Sequence, residues 1–160
     1  SAIAIPDSAL SAAMGWAERP ARMQRLADGP LTERLGTGEP VWLDGGHNPD
    51  AGAALARHIA KMGGKVHLVL GMLSNKQPGA LLGPLEPHLA SVTALPVPGH
   101  EWHDADAFQA CLTSGIKVEA AGDIAAAIEM LAHRELMPVL IAGSLYLAGE
   151  VLKANGQEPD

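Results

Sequence analysis

The stretch of sequence that best indicates the fold is residues 41–52, which read Val-Trp-Leu-Asp-Gly-Gly-His-Asn-Pro-Asp-Ala-Gly. Its apolar start ends abruptly in a polar turn that contains two glycines. Asn48 then occupies the position of a helix N-cap, and Pro49 opens a segment with apolar residues at helical spacing. The pattern predicts a buried strand over residues 41–43, a tight turn, and a helix over Pro49–Met62.

The turn between this strand and this helix is a candidate binding site. In an open parallel sheet, ligands bind at the carboxyl ends of the strands. Glycines let the backbone approach a ligand closely, and a helix N-terminus favours negative charge. Asp44, His47 and Asn48 bring an acid, an imidazole and a carboxamide to this position. A purely structural interpretation stays open, in which Asp44 caps the turn, Asn48 starts the helix and the glycines reverse the chain.

The rest of the chain alternates between short apolar runs and segments with helical periodicity. Strands are predicted at residues 41–43, 66–70, 91–95, 117–120 and 139–142, with a possible first strand at 22–26. Helices are predicted at residues 8–17, 49–62, 78–88, 104–113, 123–133 and 144–153, and residues 28–40 are rich in turn formers. This alternation is typical of βαβ units with right-handed crossovers. The predicted fold class is α/β, with a mostly parallel sheet of about five or six strands.

Composition limits the possible partners and location of the protein. The chain has 160 residues, the size of one ordinary domain, and a net charge of −7. We therefore expect neither a nucleic acid nor a membrane surface as partner, because phosphate groups attract clustered Lys and Arg. Cys111 is the single cysteine, which predicts no disulfide and fits a cytoplasmic location. No apolar run has membrane-spanning length, and no signal peptide is recognisable.

Two further strand ends carry polar residues that a parallel sheet would bring to the same edge. Lys76 follows the strand at 66–70, and Ser144 follows the strand at 139–142. Lys76 is also explained as a solvated surface lysine, and Ser144 as a helix N-cap. The loop at residues 100–104 holds two histidines and two acids around Trp102, but no second set of ligands has metal-site spacing. No metal site is predicted.

Several nucleotide and catalytic motifs are missing from the sequence. It contains no P-loop, no Gly-x-Gly-x-x-Gly after a strand and no Gly-x-Ser-x-Gly elbow. A site at strand ends without its own phosphate-binding loop indicates half of a composite active site.

The motifs and their order resemble the C-terminal domain of the bifunctional dihydrofolate synthase/folylpolyglutamate synthase family, within the muramyl ligase superfamily. The resemblance extends over about residues 12–153. It is carried by residues 16–22, 43–49 (Leu-Asp-Gly-Gly-His-Asn-Pro), 71–76 (Gly-Met-Leu-Ser-Asn-Lys) and 143–146 (Gly-Ser-Leu-Tyr).

This resemblance implies a Rossmann-like three-layer domain of an ATP-dependent ligase. Members join L-glutamate to dihydropteroate or folate through an acyl phosphate and release ADP. ATP and Mg²⁺ are held mainly by a covalently linked N-terminal ATPase domain that carries the P-loop. The resemblance thus implies that residues 1–20 are a linker or the last helix of a central domain, and that residues 21–160 are the C-terminal domain. It further implies a cytoplasmic monomer whose isolated C-terminal domain is inactive.

The resemblance also implies a role for each candidate site residue. Arg22 would face the nucleotide phosphates, and Asp44 would bind the ribose hydroxyls of ATP. His47 and Lys76 would be the catalytic residues, placed near the incoming glutamate and the acyl phosphate. Ser144 and Asn48 would bind substrate, with Ser144 at the glutamate carboxylate.

The sequence departs from the family pattern at two positions. Ala21 replaces the glycine of a Pro-Gly-Arg phrase, and Asn75 replaces an acid that often precedes the lysine, which leaves the orientation of Lys76 open. Two alternatives to the folate ligase remain, namely another muramyl-ligase-type amide ligase and a non-catalytic doubly wound binding module. For the ligase we expect Asp44→Ala to weaken ATP use with little loss of stability.

Overall fold

A six-stranded sheet forms the centre of the fold. The structure is a computed structural model that describes residues 23–36 and 38–157. The strands are β1 (Gln24–Arg25), β2 (Val41–Asp44), β3 (Val66–Leu70), β4 (Leu89–Ala94), β5 (Val118–Ala120) and β6 (Val139–Ala142). Their order in the sheet is β1-β2-β6-β3-β4-β5, with β1 antiparallel to β2 and all other neighbours parallel. The predicted α/β class with a mostly parallel sheet is confirmed.

The helices follow the strands in the predicted alternation. They are α1 (Pro30–Leu35), α2 (Pro49–Met62), α3 (Pro78–Leu85), α4 (Ala105–Gln109), α5 (Ile124–Leu131) and α6 (Leu145–Ala154), with a short 3₁₀ turn at Glu86–His88. None of the described helices is long and apolar enough to cross a membrane. The predicted helix at residues 8–17, the role of Arg22 and the boundary near residue 20 lie outside the described residues.

Three predicted elements differ from the structure. Residues 28–40 contain α1, which the abundance of turn formers hid; it starts with Pro30 and ends at Gly36 in the left-handed conformation. The segment 78–88 splits into two parts: α3, which contains Pro84, and the 3₁₀ turn, which contains Pro87. A proline cannot donate a backbone hydrogen bond, so the two prolines weaken a continuous helix here. The segment 104–113 is helical only to Gln109: the N–H groups of Cys111 and Leu112 bond to carbonyls three residues back, and those of Thr113 and Ser114 bond to the carboxylate of Glu86.

Both faces of the sheet are covered, so the domain has three layers. Alternate residues of β6 pack into different clusters: Val139 and Ile141 lie with α1, α5 and α6, whereas Leu140 and Ala142 lie with α2 and α3. This explains why β3 and β6 are apolar at nearly every position and why the sequence predicts their bounds correctly.

The register of the parallel strands places their carboxyl ends at one edge of the sheet. Asp44 at the end of β2 pairs with Ala142 at the end of β6, and Leu70 at the end of β3 pairs with the same Ala142. The turns that begin at Asp44, Gly71 and Gly143 are therefore neighbours. The geometric premise of the sequence analysis, that the Asp44 and Ser144 turns share an edge, is confirmed.

Candidate active site

Asp44 anchors the turn after β2 with both carboxylate oxygens. The residue is only 6% exposed. Its Oδ1 accepts the backbone N–H of Gly46 at 2.8 Å, and its Oδ2 accepts the backbone N–H of Met23 at 3.0 Å. Gly46 is required here because a Cβ would collide with that of Ala51 and lie 3.0 Å from Asp44 Oδ1. Asp44 thus holds the turn before α2 and the backbone at Met23, so the structure leads us to expect a loss of stability in Asp44→Ala, in contrast to the expectation from the sequence.

His47 and Asn48 line a cleft beside this turn. The cleft has a volume of about 540 Å³, within the range typical of small-molecule sites. Its walls come from the turn at residues 44–48, from one face of α2, and from Met23 and Leu145. Asn48 caps α2, since its Oδ1 accepts the N–H of Ala51 at 2.9 Å. The side-chain oxygen of Asn48 therefore serves the helix, and its NH₂ group is the part able to donate to a ligand.

Ser144 caps α6 in the adjacent turn. It is 4% exposed, and its Oγ accepts the N–H groups of Tyr146 at 3.0 Å and Leu147 at 3.3 Å. Gly143 before it has a φ of 113°, and a Cβ there would collide with the carbonyl oxygen of Gly71. The turns after β3 and β6 are consequently in direct contact.

Lys76 lies in the turn after β3 and is half-buried. Its N–H donates to the carbonyl of Leu73 at 3.0 Å, which closes the turn. The loop after β4 runs beside this turn: the N–H of Ser74 donates to the carbonyl of Glu101 at 2.9 Å. Lys76 therefore stands at the same sheet edge as Asp44, but it does not line the cleft.

Comparison with known proteins identifies the family. The family model described as "Dihydrofolate synthetase, C-terminal domain" matches residues 30–154. The chain belongs to this family. The predicted membership in the dihydrofolate synthase/folylpolyglutamate synthase family is thereby confirmed, and so is the assignment to its C-terminal domain.

Relatives of the chain are much longer proteins. A probable bifunctional folylpolyglutamate synthase/dihydropteroate synthase of Haloferax volcanii is 34% identical over 123 residues, which cover 74% of this chain and 15% of that protein. The folylpolyglutamate synthase of Lacticaseibacillus casei is 29% identical over 142 residues, covering 88% of this chain and 30% of that protein. The chain thus spans less than a third of the length of these relatives.

Solved structures of the same family share the fold of this domain. One is the bifunctional folylpolyglutamate synthase/dihydrofolate synthase of Yersinia pestis, complexed with AMPPNP and Mn. It has a TM-score of 0.65 and 26% sequence identity, and the match covers 84% of this chain and 31% of that one. A second structure of such a bifunctional enzyme, with Mn, AMPPNP and L-glutamate bound, has a TM-score of 0.65 and 25% identity over the same shares. Family members therefore bind an ATP analogue, a divalent metal and glutamate.

The predicted site residues form two groups. Asp44, His47 and Asn48 line the cleft, whereas Lys76 and Ser144 lie on the two neighbouring turns. No group of three or more His, Cys, Asp or Glu residues that could hold a metal occurs in residues 23–36 and 38–157.

The polar residues of the loop after β4 contact other parts of the protein. His100 stacks on Tyr146 with ring centroids 4.0 Å apart, and Asp104 caps α4 by accepting the N–H of Ala107.

Three features of this edge were not predicted from the sequence. Arg57 and His58 line the far end of the cleft; their helical spacing from Asp50 was the signal that could have found them. The second feature is a set of exposed large apolar side chains, whose exposed fractions are 46% for Leu145, 56% for Tyr146 and 44% for Trp102. Two of the three are aromatic, in a chain with only 3% aromatic residues. The third feature is the contact between His103 and the Lys76 turn, which no sequence periodicity reveals.

Proposed function

We propose that this domain supplies one half of the active site of an ATP-dependent ligase that joins L-glutamate to dihydropteroate or folate. In this reaction the substrate carboxylate becomes an acyl phosphate, the glutamate amine attacks it, and an amide, ADP and phosphate result. The observation that carries the proposal is the register of β2, β6 and β3, which puts the Ser144 turn between the Asp44 cleft and the Lys76 turn on one edge of the sheet. The family of the chain supports it.

The Asp44 cleft is the proposed place for the nucleoside part of ATP. Asp44 lines this cleft, and its carboxylate is a hydrogen-bond acceptor, which is the chemistry that ribose hydroxyls require. Met23 follows Arg22 directly, so the bond from Met23 to Asp44 also fixes the chain next to Arg22, which we assign to the phosphates. The phosphates and Mg²⁺ are assigned mainly to a P-loop domain elsewhere in the full-length protein, since the relatives are about three times longer.

The Lys76 and Ser144 turns are the proposed place for glutamate. The ammonium of Lys76 would stabilise the negative charge that develops as the amine attacks the acyl phosphate. Ser144 uses its Oγ lone pairs to cap α6, which leaves its hydroxyl hydrogen to donate to the glutamate carboxylate. Asn48 would donate from its NH₂ group, and His47 would help to orient the glutamate. Holding two anionic substrates together in this way supplies positional catalysis.

The organisation of the full-length protein is part of the same proposal. Residues 1–20 are assigned to a linker or to the last helix of the central domain, and residues 21–160 to the C-terminal domain. The enzyme is proposed to be a cytoplasmic monomer that is active only when both domains close on the substrates.

The test is ADP release by the full-length gene product with L-glutamate and either dihydropteroate or a reduced folate. We expect Lys76→Ala to lower kcat about 100-fold, because a charge-stabilising donor is lost. Ser144→Ala should mainly raise the KM for glutamate. Lys153→Ala, which removes an exposed charge at the end of α6, is the matched control and should stay within about twofold of the original rate. ADP release that does not depend on glutamate, or full activity of Lys76→Ala, would contradict the proposal.

A further inference from the structure

The loop at residues 97–104, after β4, has no role in the proposed function, yet it pairs closely with the Lys76 turn. The N–H of Ser74 donates to the carbonyl of Glu101 at 2.9 Å, and the N–H of His103 donates to the carbonyl of Met72 at 3.0 Å. Leu73 and Trp102 form an antiparallel bridge between these two bonds. The loop thereby acts as a short extra strand against residues 72–74, immediately before Lys76.

The side chain of His103 makes the next contact along this pairing. Its Nε2 lies 2.7 Å from the backbone carbonyl oxygen of Lys76. A carbonyl only accepts, so Nε2 carries the hydrogen and donates it. The imidazole is half-buried and tilted against the ring of Phe108, with centroids 6.2 Å apart, and Phe108 is fully buried. The ring that carries the donor therefore packs against a core residue.

Both backbone polar groups of Lys76 are thus bonded. Its N–H donates to Leu73, and its carbonyl accepts from His103. The backbone is held on both sides of the Cα from which the amine side chain departs. This restricts where the ammonium group can go without any contact to the ammonium itself.

We propose that His103 is a positioning residue for Lys76. Its Nε2–H bond to the Lys76 carbonyl fixes the turn, so that the ammonium meets the reacting groups in the geometry that catalysis needs. The inference rests on the proposed function, because it assumes that Lys76 acts in the reaction. Displacement of a catalytic group by about 1 Å can cost on the order of 100-fold in rate, so a bond far from the chemistry is able to control it.

The experiment is a double-mutant cycle in the full-length protein. His103→Phe keeps a ring against Phe108 but removes the donor, and we expect it to lower kcat about 10- to 100-fold while the KM for ATP changes less. His103→Gln places an amide N–H at similar reach and should recover activity to within about fivefold. The double variant His103→Phe with Lys76→Ala should be no slower than Lys76→Ala alone, because His103 acts through Lys76. His133→Phe, at an exposed histidine far along the chain, is the control.

A second pair of variants covers the case in which His103→Phe fails to fold. Gln and Asn have the same polarity, but only the longer Gln reaches the Lys76 carbonyl. His103→Asn should therefore lose activity as His103→Phe does, whereas His103→Gln should keep it. Equal activity of the two variants would overturn the inference, and so would losses that multiply fully in the double variant.

The outcomes separate this inference from the proposed function. If Lys76→Ala is impaired but His103→Phe and His103→Asn are fully active, only the positioning role fails. If Lys76→Ala is fully active, the role of Lys76 in the proposed function fails, and the positioning role fails with it.

Discussion

Replacing Asp44 with alanine should destabilise the domain as well as impair any reaction. The carboxylate is 6% exposed and accepts two backbone N–H groups, from Gly46 at 2.8 Å and from Met23 at 3.0 Å. Removing the acceptor of a buried donor costs about 1–3 kcal/mol for each donor left unpaired. Because the cleft beside Asp44 lets water reach part of the vacated space, we expect a total loss of about 2–4 kcal/mol.

The assay is urea unfolding of the 160-residue chain, followed by circular dichroism, with thermal unfolding of the same variants as a second measurement. For a domain of this size a loss of 1 kcal/mol lowers Tm by about 2–4 °C, so the expected fall is about 4–16 °C. Asp44→Asn keeps one acceptor oxygen but turns an NH₂ group toward the other donor, so it should lie between the original chain and Asp44→Ala.

Asp50→Asn is the matched control for this prediction. It removes a carboxylate from the same cleft, but Asp50 is exposed in the first turn of α2, where its charge is favourable to the helix dipole. Its loss should cost less than about 1 kcal/mol. The reasoning is refuted if Asp44→Ala unfolds at the same urea concentration as the original chain, or if Asp50→Asn is destabilised as strongly.

Two further predictions concern positions away from the cleft. Gly143→Ala should lose about 2–5 kcal/mol of stability in urea unfolding, because φ is 113° and the new Cβ would collide with the carbonyl oxygen of Gly71. Gly149→Ala is the control: Gly149 lies on α6 with open space around it, so this variant should gain about 0.5–1 kcal/mol. The Ser114 side chain and the N–H groups of Thr113 and Ser114 hold the pKa of Glu86 below its ordinary value. Because the pKa of Glu86 is lower in the folded state, its ionised carboxylate stabilises the fold at a pH above the pKa of the unfolded state. This contribution is lost as the pH falls through the pKa of the folded state. Unfolding of Glu86→Gln should therefore depend less on pH below about 4.5 than that of the original chain, and an identical dependence would contradict the assignment.

The parts of the fold that could be predicted from the sequence are those with a strong local pattern. The bounds of β3, α2 and β6 follow from continuous apolar runs and from a helix start marked by Asn48 and Pro49. Parallel pairing then follows from the alternation of elements, and with it the shared edge of the Asp44 and Ser144 turns.

The six-residue helix α1 was missed because its signal is too short to show periodicity. Leu31 and Leu35 are both buried at a spacing of four residues, and Pro30 and Gly36 mark the two ends. Over a single turn and a half, this pattern is outweighed by the glycines and prolines around it. Tertiary packing of the two leucines, which the local sequence does not encode, decides the outcome.

The contact between His103 and Lys76 was out of reach for a different reason. It joins two loops that follow neighbouring strands, and loops have no periodicity from which a register can be derived. No metal site was predicted among the histidines of residues 100–104, but their actual partners could not be predicted either: His100 stacks on Tyr146, and His103 bonds to a backbone carbonyl. Residue types in a loop indicate which chemistry is possible, and only the pairing of the loop shows which partner each side chain meets.

The double use of Asp44 affects how the proposed site must be tested. At a strand end, the residue best placed to meet a ligand is also the one best placed to close the turn: the carboxylate of Asp44 accepts the turn N–H groups, and a ligand in the cleft would meet the same carboxylate. A loss of activity in Asp44→Ala therefore does not by itself assign ribose binding to Asp44, since displacement of Met23 and Gly46 would also deform the cleft. The ammonium of Lys76 has no such turn-closing duty, because its turn is held by backbone groups and by His103. Kinetic losses in Lys76→Ala at unchanged stability are consequently the cleaner evidence for chemistry at this edge.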